Sequence, residues 1–219
     1  MDWSVIWSNR ALYVDGLWAT VVLSLAAIAT GTLVGLLVAA VRTSRIPVLA
    51  QLARGYLEVF RGTPLLIQML FIYFGAAYLS GFAISVFGAA LLALTLYQGA
   101  YIAEVFRAGI EAVPRGQWEA SRVLGLSRVQ TFGGVILPQT RAIVLPPLVG
   151  QYLSLIKDTS IASIIAAPEL MLSAKDLASM SFMPMQLYVL AAVIYFLMSF
   201  PLALAIRRLE RRITAVRRA

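Results

Sequence analysis

Long uncharged stretches alternate along this chain with short segments that concentrate its arginines and acids. The first stretch, Gly16–Val41, holds 26 residues between Asp15 and Arg42. At about 1.5 Å per residue it more than crosses a ~30 Å hydrocarbon layer, so residues 16–41 predict a transmembrane helix. No charge occurs from Gly62 to Ala103. That length fits two spans, 63–79 and 84–106, broken near Ser80-Gly81. Thr63 suits the N-cap of the earlier one and Pro64 its first helical position. A fourth span, 140–165, is interrupted by prolines at 138, 146 and 147, with Arg141 among them. Its uncharged centre, Ala142–Ile156, has only 15 residues, so the helix must extend at both ends. Residues 186–206 predict a fifth span, kinked near Pro201. The pattern as a whole predicts an all-α integral membrane protein with five transmembrane helices in a single domain, 1–219.

The segments between the spans are patterned too. Over Val48–Arg61, Leu49, Leu52, Ala53, Tyr56, Leu57 and Phe60 recur at three- and four-residue spacing, with Gln51, Arg54, Glu58 and Arg61 opposite. That is an amphipathic helix able to lie in the interface or run into the second span. Gly31 and Gly35 form a small-xxx-small pair that lets another helix approach closely. In the loop 107–138, Arg115 to Leu124 predicts about two helical turns, with Gly125 as the C′ stop. Ser127 to Gln130 has capping-box spacing, so a second helix starts there. A helix this short persists only when packed. Trp118, Val123 and Leu124 offer apolar surface for a socket on a partner, or for lying at the membrane surface.

Composition narrows the picture. Of 219 residues 61% are hydrophobic and 13% charged, about half the charge of a soluble domain. With no Cys and no His, disulfides, thiolate chemistry and imidazole catalysis or metal binding are excluded. The net charge is +8, but six arginines, Arg207, Arg208, Arg211, Arg212, Arg217 and Arg218, follow the last span. They read as an anchor against anionic lipid and not as a nucleic-acid surface. The first apolar run is too long for a signal-peptide core, so no cleavable leader is expected. Arginines fall in the segments 42–61 and 107–128 and in the tail; acids balance the basic residues before the first span and in 157–185, and the loop near residue 80 has no charge. Five spans then place the N-terminus outside and the C-terminus in the cytoplasm.

Polar groups at membrane depth are the candidates for a solute path. Tyr97, Gln98 and Tyr101 lie on the third span and Gln151, Ser154, Lys157 and Asp158 on the fourth. Gln151, Ser154 and Asp158 share a helical face, and with Lys157 they could complement an ammonium and a carboxylate. Equally, Lys157 and Asp158 could mark the outer helix end, paired with each other or with Thr159 and Ser160. Gln68 could line the same path. Phe71, Tyr73, Phe74 and Tyr78 read as packing or interface belt. Glu104, Arg107 and Glu111 are spaced for an ion-pair ladder.

The run Gly116-Gln117-Trp118-Glu119-Ala120-Ser121-Arg122-Val123-Leu124-Gly125, followed by Ile136-Leu137-Pro138, resembles the cytoplasmic signature loop of ABC importer permeases. Together with Arg61-Gly62-Thr63-Pro64-Leu65 and Lys157-Asp158-Thr159-Ser160 it is similar to the polar amino acid branch of that family, from about residue 16 to the C-terminus. The resemblance implies a type I ABC importer permease fold in a bacterial cytoplasmic (inner) membrane. It implies that Gly116, Gln117, Trp118, Glu119, Ala120, Ser121 and Gly125 form a coupling helix seated on a cytoplasmic ATP-binding subunit. ATP and Mg are expected on that partner and no cofactor on this chain. A second permease subunit (a copy or a related chain), an extracytoplasmic solute-binding protein and an amino acid complete the expected assembly. Ser121 departs from the alanine common in the family, a change small enough to leave the helix intact.

Other readings fit less well. This chain has no Gly-x-x-x-x-Gly-Lys-Ser/Thr loop and cannot power transport itself. A membrane enzyme lacks a nucleophile–base pair or metal set. A self-sufficient channel or secondary carrier for small polar solutes remains the alternative, although no inverted repeat is visible. Glu169 and Asp176, on the segment 157–185, are expected contacts for the solute-binding protein.

Overall fold

The computed structural model describes residues 4–43, 46–81 and 83–218, without the side chains at 77, 80, 207 and 209–218. Asp2 and Arg45, and the side chains of the tail arginines other than Arg208, therefore lie outside the described residues. In chain order the helices are α1 (Ser4–Ser8), α2 (Arg10–Arg42), α3 (Pro47–Gly62), α4 (Leu65–Ser80), α5 (Val86–Glu111) and α6 (Arg115–Val123). A turn α7 (Arg128–Gln130) continues through a π-helical segment, Thr131–Ile136, into α8 (Leu137–Asp158) and a 3₁₀ segment, Thr159–Ile165. α9 (Leu170–Ser181) and α10 (Pro184–Arg218) follow. No strand occurs among the described residues.

Four helical stretches are long and apolar enough to cross a membrane: Arg10–Arg42, Val86–Glu111, Arg128–Ile165 and Pro184–Ile206. A fifth arises only if α3 and α4, bent by 108° at their junction, count as one broken span. The fourth helix does extend at both ends, reaching back to the cap at Ser127. The break after the second span is at Gly81, whose φ of +68° is open to glycine at little cost.

The α3–α4 junction corrects two expectations. Thr63 does not cap the second span. Its hydroxyl donates back to Val59 O at 2.8 Å and accepts from Gln68 Nε2 at 2.8 Å. Gln68 does not line a path but staples the bend, since its amide also reaches Phe60 O and Thr63 O. Pro64 cannot donate a backbone bond, so the bend leaves carbonyls that the Gln68 amide satisfies.

α2 and α5 form the spine. Gly31 and Gly35 are buried against α5, as the small-residue pair predicts. A Cβ on Gly35 would lie 2.6 Å from Ile102 Cγ2, and one on Gly99 2.7 Å from Val34 Cγ1. Around this contact one core joins Leu23 and Ala27 of α2, Met69 of α4, Ala93 and Leu94 of α5, and Leu155 of α8. A second core packs Tyr13, Leu170, Leu177, Leu187 and Ala191 where α9 meets α10.

Glu169 is another correction. It is not an exposed docking contact but fully buried. Its carboxylate caps α9, accepting from Met171 N at 2.8 Å and Leu172 N at 2.6 Å, and Tyr195 donates to it at 2.6 Å. Burial pushes this carboxyl above its usual range, while the Tyr195 hydroxyl and the two backbone donors pull it down. Next to it, Thr20 Oγ1 accepts from Leu170 N at 2.9 Å, so α2, α9 and α10 meet at one polar knot. Asp176 is exposed.

Candidate functional site: an elbow and a cleft

The elbow between α6 and α7 is built by local rules. α6 ends in a Schellman turn: Leu126 N donates to Ser121 O at 3.1 Å and Gly125 N to Arg122 O at 3.0 Å. Gly125 has φ +73° with open space where a Cβ would point. Two residues on, Ser127 N donates to Gln130 Oε1 at 2.9 Å and Gln130 N to Ser127 Oγ at 3.3 Å, the expected capping box. Ser121 is buried and donates to Gln117 O at 2.7 Å, and Gln139 of α8 donates to Gln117 Oε1 at 3.1 Å. The first bond lies within the short helix, and the second ties it to the bundle.

Val123 is 88% exposed, Leu124 76% and, across the turn, Val129 83%. Gly116, Glu119 and Ala120 are exposed as well, and Glu119 has no ion pair among the described residues. Trp118 does not join this outer patch. It is half-buried and faces the bundle beside Ile110, Phe132 and Leu137. The 3.6-residue period explains the split: Trp118 and Ser121 lie on the inner side, three residues apart, and Glu119 and Val123 on the outer one.

The second feature is a cleft of about 430 Å³ bounded by α3, α5 and α8. Tyr101 and Gln151, predicted from different spans, both line it, with Arg61, Glu104, Ile143 and Pro147. The Arg61 guanidinium stands 5.6 Å from the Tyr101 ring centre, a cation–π distance. Tyr97 packs tilted against Tyr101, with ring centres 4.9 Å apart and the planes at 48°, and Asp158 lies within electrostatic reach of Tyr97. Ser154 is half-buried and Lys157 exposed. Gln98 is placed elsewhere. It is 1% exposed, against Gly31, and its Nε2 has no partner among the described residues.

Charge at the cleft is organised by Glu104. It accepts from Arg42 at 2.7 Å and from Arg107, and Arg61 stands at 3.5 Å. Arg107 also pairs with Glu111. The expected ladder is therefore present, but α2 and α3 each add an arginine to it. Arg61 is the site residue that residue spacing missed. It closes an amphipathic helix one residue before a long uncharged run, and only the 108° bend folds it over Tyr101.

The prolines of α8 add a backbone acceptor. The carbonyl of Ile143 would ordinarily bond to the N–H of residue 147, or of 146 in a tighter turn, and both are proline. Ile143 and Pro147 both line the cleft. No group of three or more acids suited to a metal occurs among the described residues.

A bundle of membrane-length helices with an exposed apolar elbow, and with Arg61, Tyr101, Glu104 and Gln151 gathered in one cleft, suits a transport permease. Residues 31–215 match the family described as the binding-protein-dependent transport system inner membrane component, and the chain belongs to it. It is 36% identical over 213 residues to the probable glutamine ABC transporter permease protein GlnM of Bacillus subtilis, covering 97% of this chain and 98% of that one. To the glutamine transport system permease protein GlnP of Escherichia coli K12 it is 36% identical over 212 residues, covering 96% and 97%. A crystal structure of an amino acid ABC transporter with histidines matches with TM-score 0.91 and 35% identity, over 97% of this chain and 99% of that one. Inward-facing MetNI methionine ABC transporter structures, at 20% identity and TM-score 0.76 over 94% of this chain, share the fold.

Proposed function

We propose that this chain is the permease subunit of an ATP-driven importer that carries a polar amino acid into the cytoplasm by alternating access. The observation that carries the proposal is the elbow. Val123, Leu124 and Val129 are held out on a doubly capped turn, where water alone would leave them uncovered. Such a patch is suited to a socket on another protein. The partner is a cytoplasmic ATP-binding subunit, carrying ATP and Mg, into which Gly116, Gln117, Glu119, Ala120 and the turn at Gly125 seat. Ser121 and Trp118 hold the helix to the bundle from the other side. The membrane is the bacterial cytoplasmic one, with the N-terminus outside and the elbow inside.

Solute passes along the cleft. Arg61 and Tyr101 suit the carboxylate end of an amino acid, and the Ile143 carbonyl and Gln151 suit its ammonium. Ser154 and Asp158 continue the same face of α8 outward, with Lys157 at its margin. A second permease subunit, identical or related, completes the path, and a solute-binding protein delivers the amino acid to the outer face near Asp176. Gln98 acts from within the α2–α5 contact.

Reconstitution with an ATP-binding subunit and a binding protein, followed by uptake of labelled amino acids, tests the reading. ATP-dependent uptake of at least one polar amino acid is expected. Flux through the chain alone, without nucleotide, would assign it to the channel or carrier class instead.

A further inference from the structure

A second cavity, distinct from the cleft, is a groove of about 790 Å³ between α2, α5 and α8 on the side of the elbow. Its walls are apolar, among them Leu36, Phe106, Leu145 and Leu148. Its size is in the range of small-ligand sites. Next to it, Leu33 and Leu37 of α2 are 59% and 58% exposed, which marks this flank as one that a bilayer covers.

Three polar residues interrupt the apolar wall: Arg141, Thr140 and Thr43, whose hydroxyl is taken up by the Ala39 and Ala40 carbonyls. Arg141 lines the groove, and among the described residues it has no ion pair and no acid stands beside it there. Thr140 also lines it, with its hydroxyl buried at 2% residue exposure and no hydrogen-bond partner among the described residues. That hydroxyl is sealed inside the fold, so the groove meets an anion through Arg141 alone. An unpaired arginine close to the elbow end of a membrane bundle is matched by a phosphate. Trp118, also in the wall, has an amphipathic ring of the kind that settles at headgroup level.

We propose that this groove binds one anionic phospholipid from the leaflet bordering the elbow. The acyl chain lies along Leu36, Phe106 and Leu148, and the phosphate meets Arg141. Because Trp118 and Phe132 reach the groove from the elbow, the bound lipid would pack directly against the segment proposed to carry motion. Lipid composition would then bear on coupling through contact and not only through bilayer thickness.

The test is native mass spectrometry of the purified, delipidated full chain, titrated with phosphatidylglycerol and with phosphatidylcholine of the same acyl chains. One phosphatidylglycerol is expected to be retained about fivefold more tightly than phosphatidylcholine. Arg141→Gln removes that preference and Arg141→Lys keeps it. Ala40→Trp, which fills the groove, weakens binding of both lipids, while Leu79→Trp, on an exposed face elsewhere, changes neither. Equal retention of the two lipids by the unmodified chain overturns the proposal, and so does unmodified-chain binding by both Arg141→Gln and Ala40→Trp. A photo-crosslinker at Leu145 in native membranes should capture phospholipid. Capture of a second copy of this chain in its place would assign the groove to a subunit interface.

Discussion

Single residues carry separable parts of this molecule, and Gly125 is the clearest case. A Cβ there meets nothing within 4 Å, yet φ is +73°. The cost of a side chain is therefore conformational and not steric, about 1–2 kcal/mol for a residue other than glycine. Gly125→Leu should loosen the Schellman turn and misdirect Val123 and Leu124. Uptake is expected to fall at least tenfold while the binding protein keeps its affinity for solute, and unchanged uptake would count against the elbow as the coupling element. Gln98 and Gln151 divide in the opposite way. Gln151 lines the cleft, so Gln151→Leu should change uptake or selectivity among labelled amino acids, as should Asp158→Leu. Gln98 has a buried amide without a partner among the described residues, and filling that site with Met removes an unpaired group at similar volume. If Gln98 serves only the helix contact, Gln98→Met leaves thermal stability unchanged or raised by up to about 1 kcal/mol. A fall in uptake without loss of stability would return Gln98 to the solute path.

Among the elements, those governed by local rules were legible in the sequence, and those governed by direction in space were not. The Gly125 stop, the Ser127–Gln130 box and the Gly31/Gly35 seam depend on backbone geometry over a few residues, and the structure has them where the spacing places them. The 108° bend at Pro64 depends on which carbonyls Gln68 can reach, so Arg61 entered the cleft unforeseen and Thr63 lost its expected cap. Glu169 misled for a related reason. An acid in a segment between spans reads as solvent-facing, and only the return of α10 alongside α9 brings Tyr195 over it. The knot it forms is testable. Glu169→Leu leaves Met171 N, Leu172 N and the Tyr195 hydroxyl without their acceptor, at a cost of roughly 2–4 kcal/mol from the lost cap and an unpaired buried donor. Glu169→Gln keeps one acceptor oxygen and should cost less. Thermal unfolding of the purified chain in detergent should rank the unmodified chain first, Gln next and Leu last. Equal melting of all three would remove the knot as a support of the α9 packing. At the α2–α5 seam, Gly35→Val meets Ile102 head on, and overpacking of about 1–3 kcal/mol is expected in the same assay.

Import driven by a cytoplasmic partner requires the elbow end of the bundle to face the cytoplasm. Glu104 gathers Arg42, Arg61 and Arg107 from three helices at the end from which the elbow projects. The arginine-rich tail follows the helix that returns to the same side in a five-span chain. Positive charge concentrated at one end resists transfer across the membrane during insertion, so that end should stay in the cytoplasm. The chain contains no cysteine, which makes the prediction simple to measure. Single cysteines at Leu124 and Asp176, both on exposed positions, should react with a membrane-impermeant maleimide from opposite sides. Asp176→Cys should label in intact cells and Leu124→Cys only after the membrane is opened. Once the ATP-binding subunit is assembled, Leu124→Cys should become protected, because the proposed socket over Val123 and Leu124 would also exclude the reagent. Labelling of Leu124→Cys in intact cells would invert the bundle. It would place the elbow beyond reach of any nucleotide-driven partner, and the importer mechanism would fail with it.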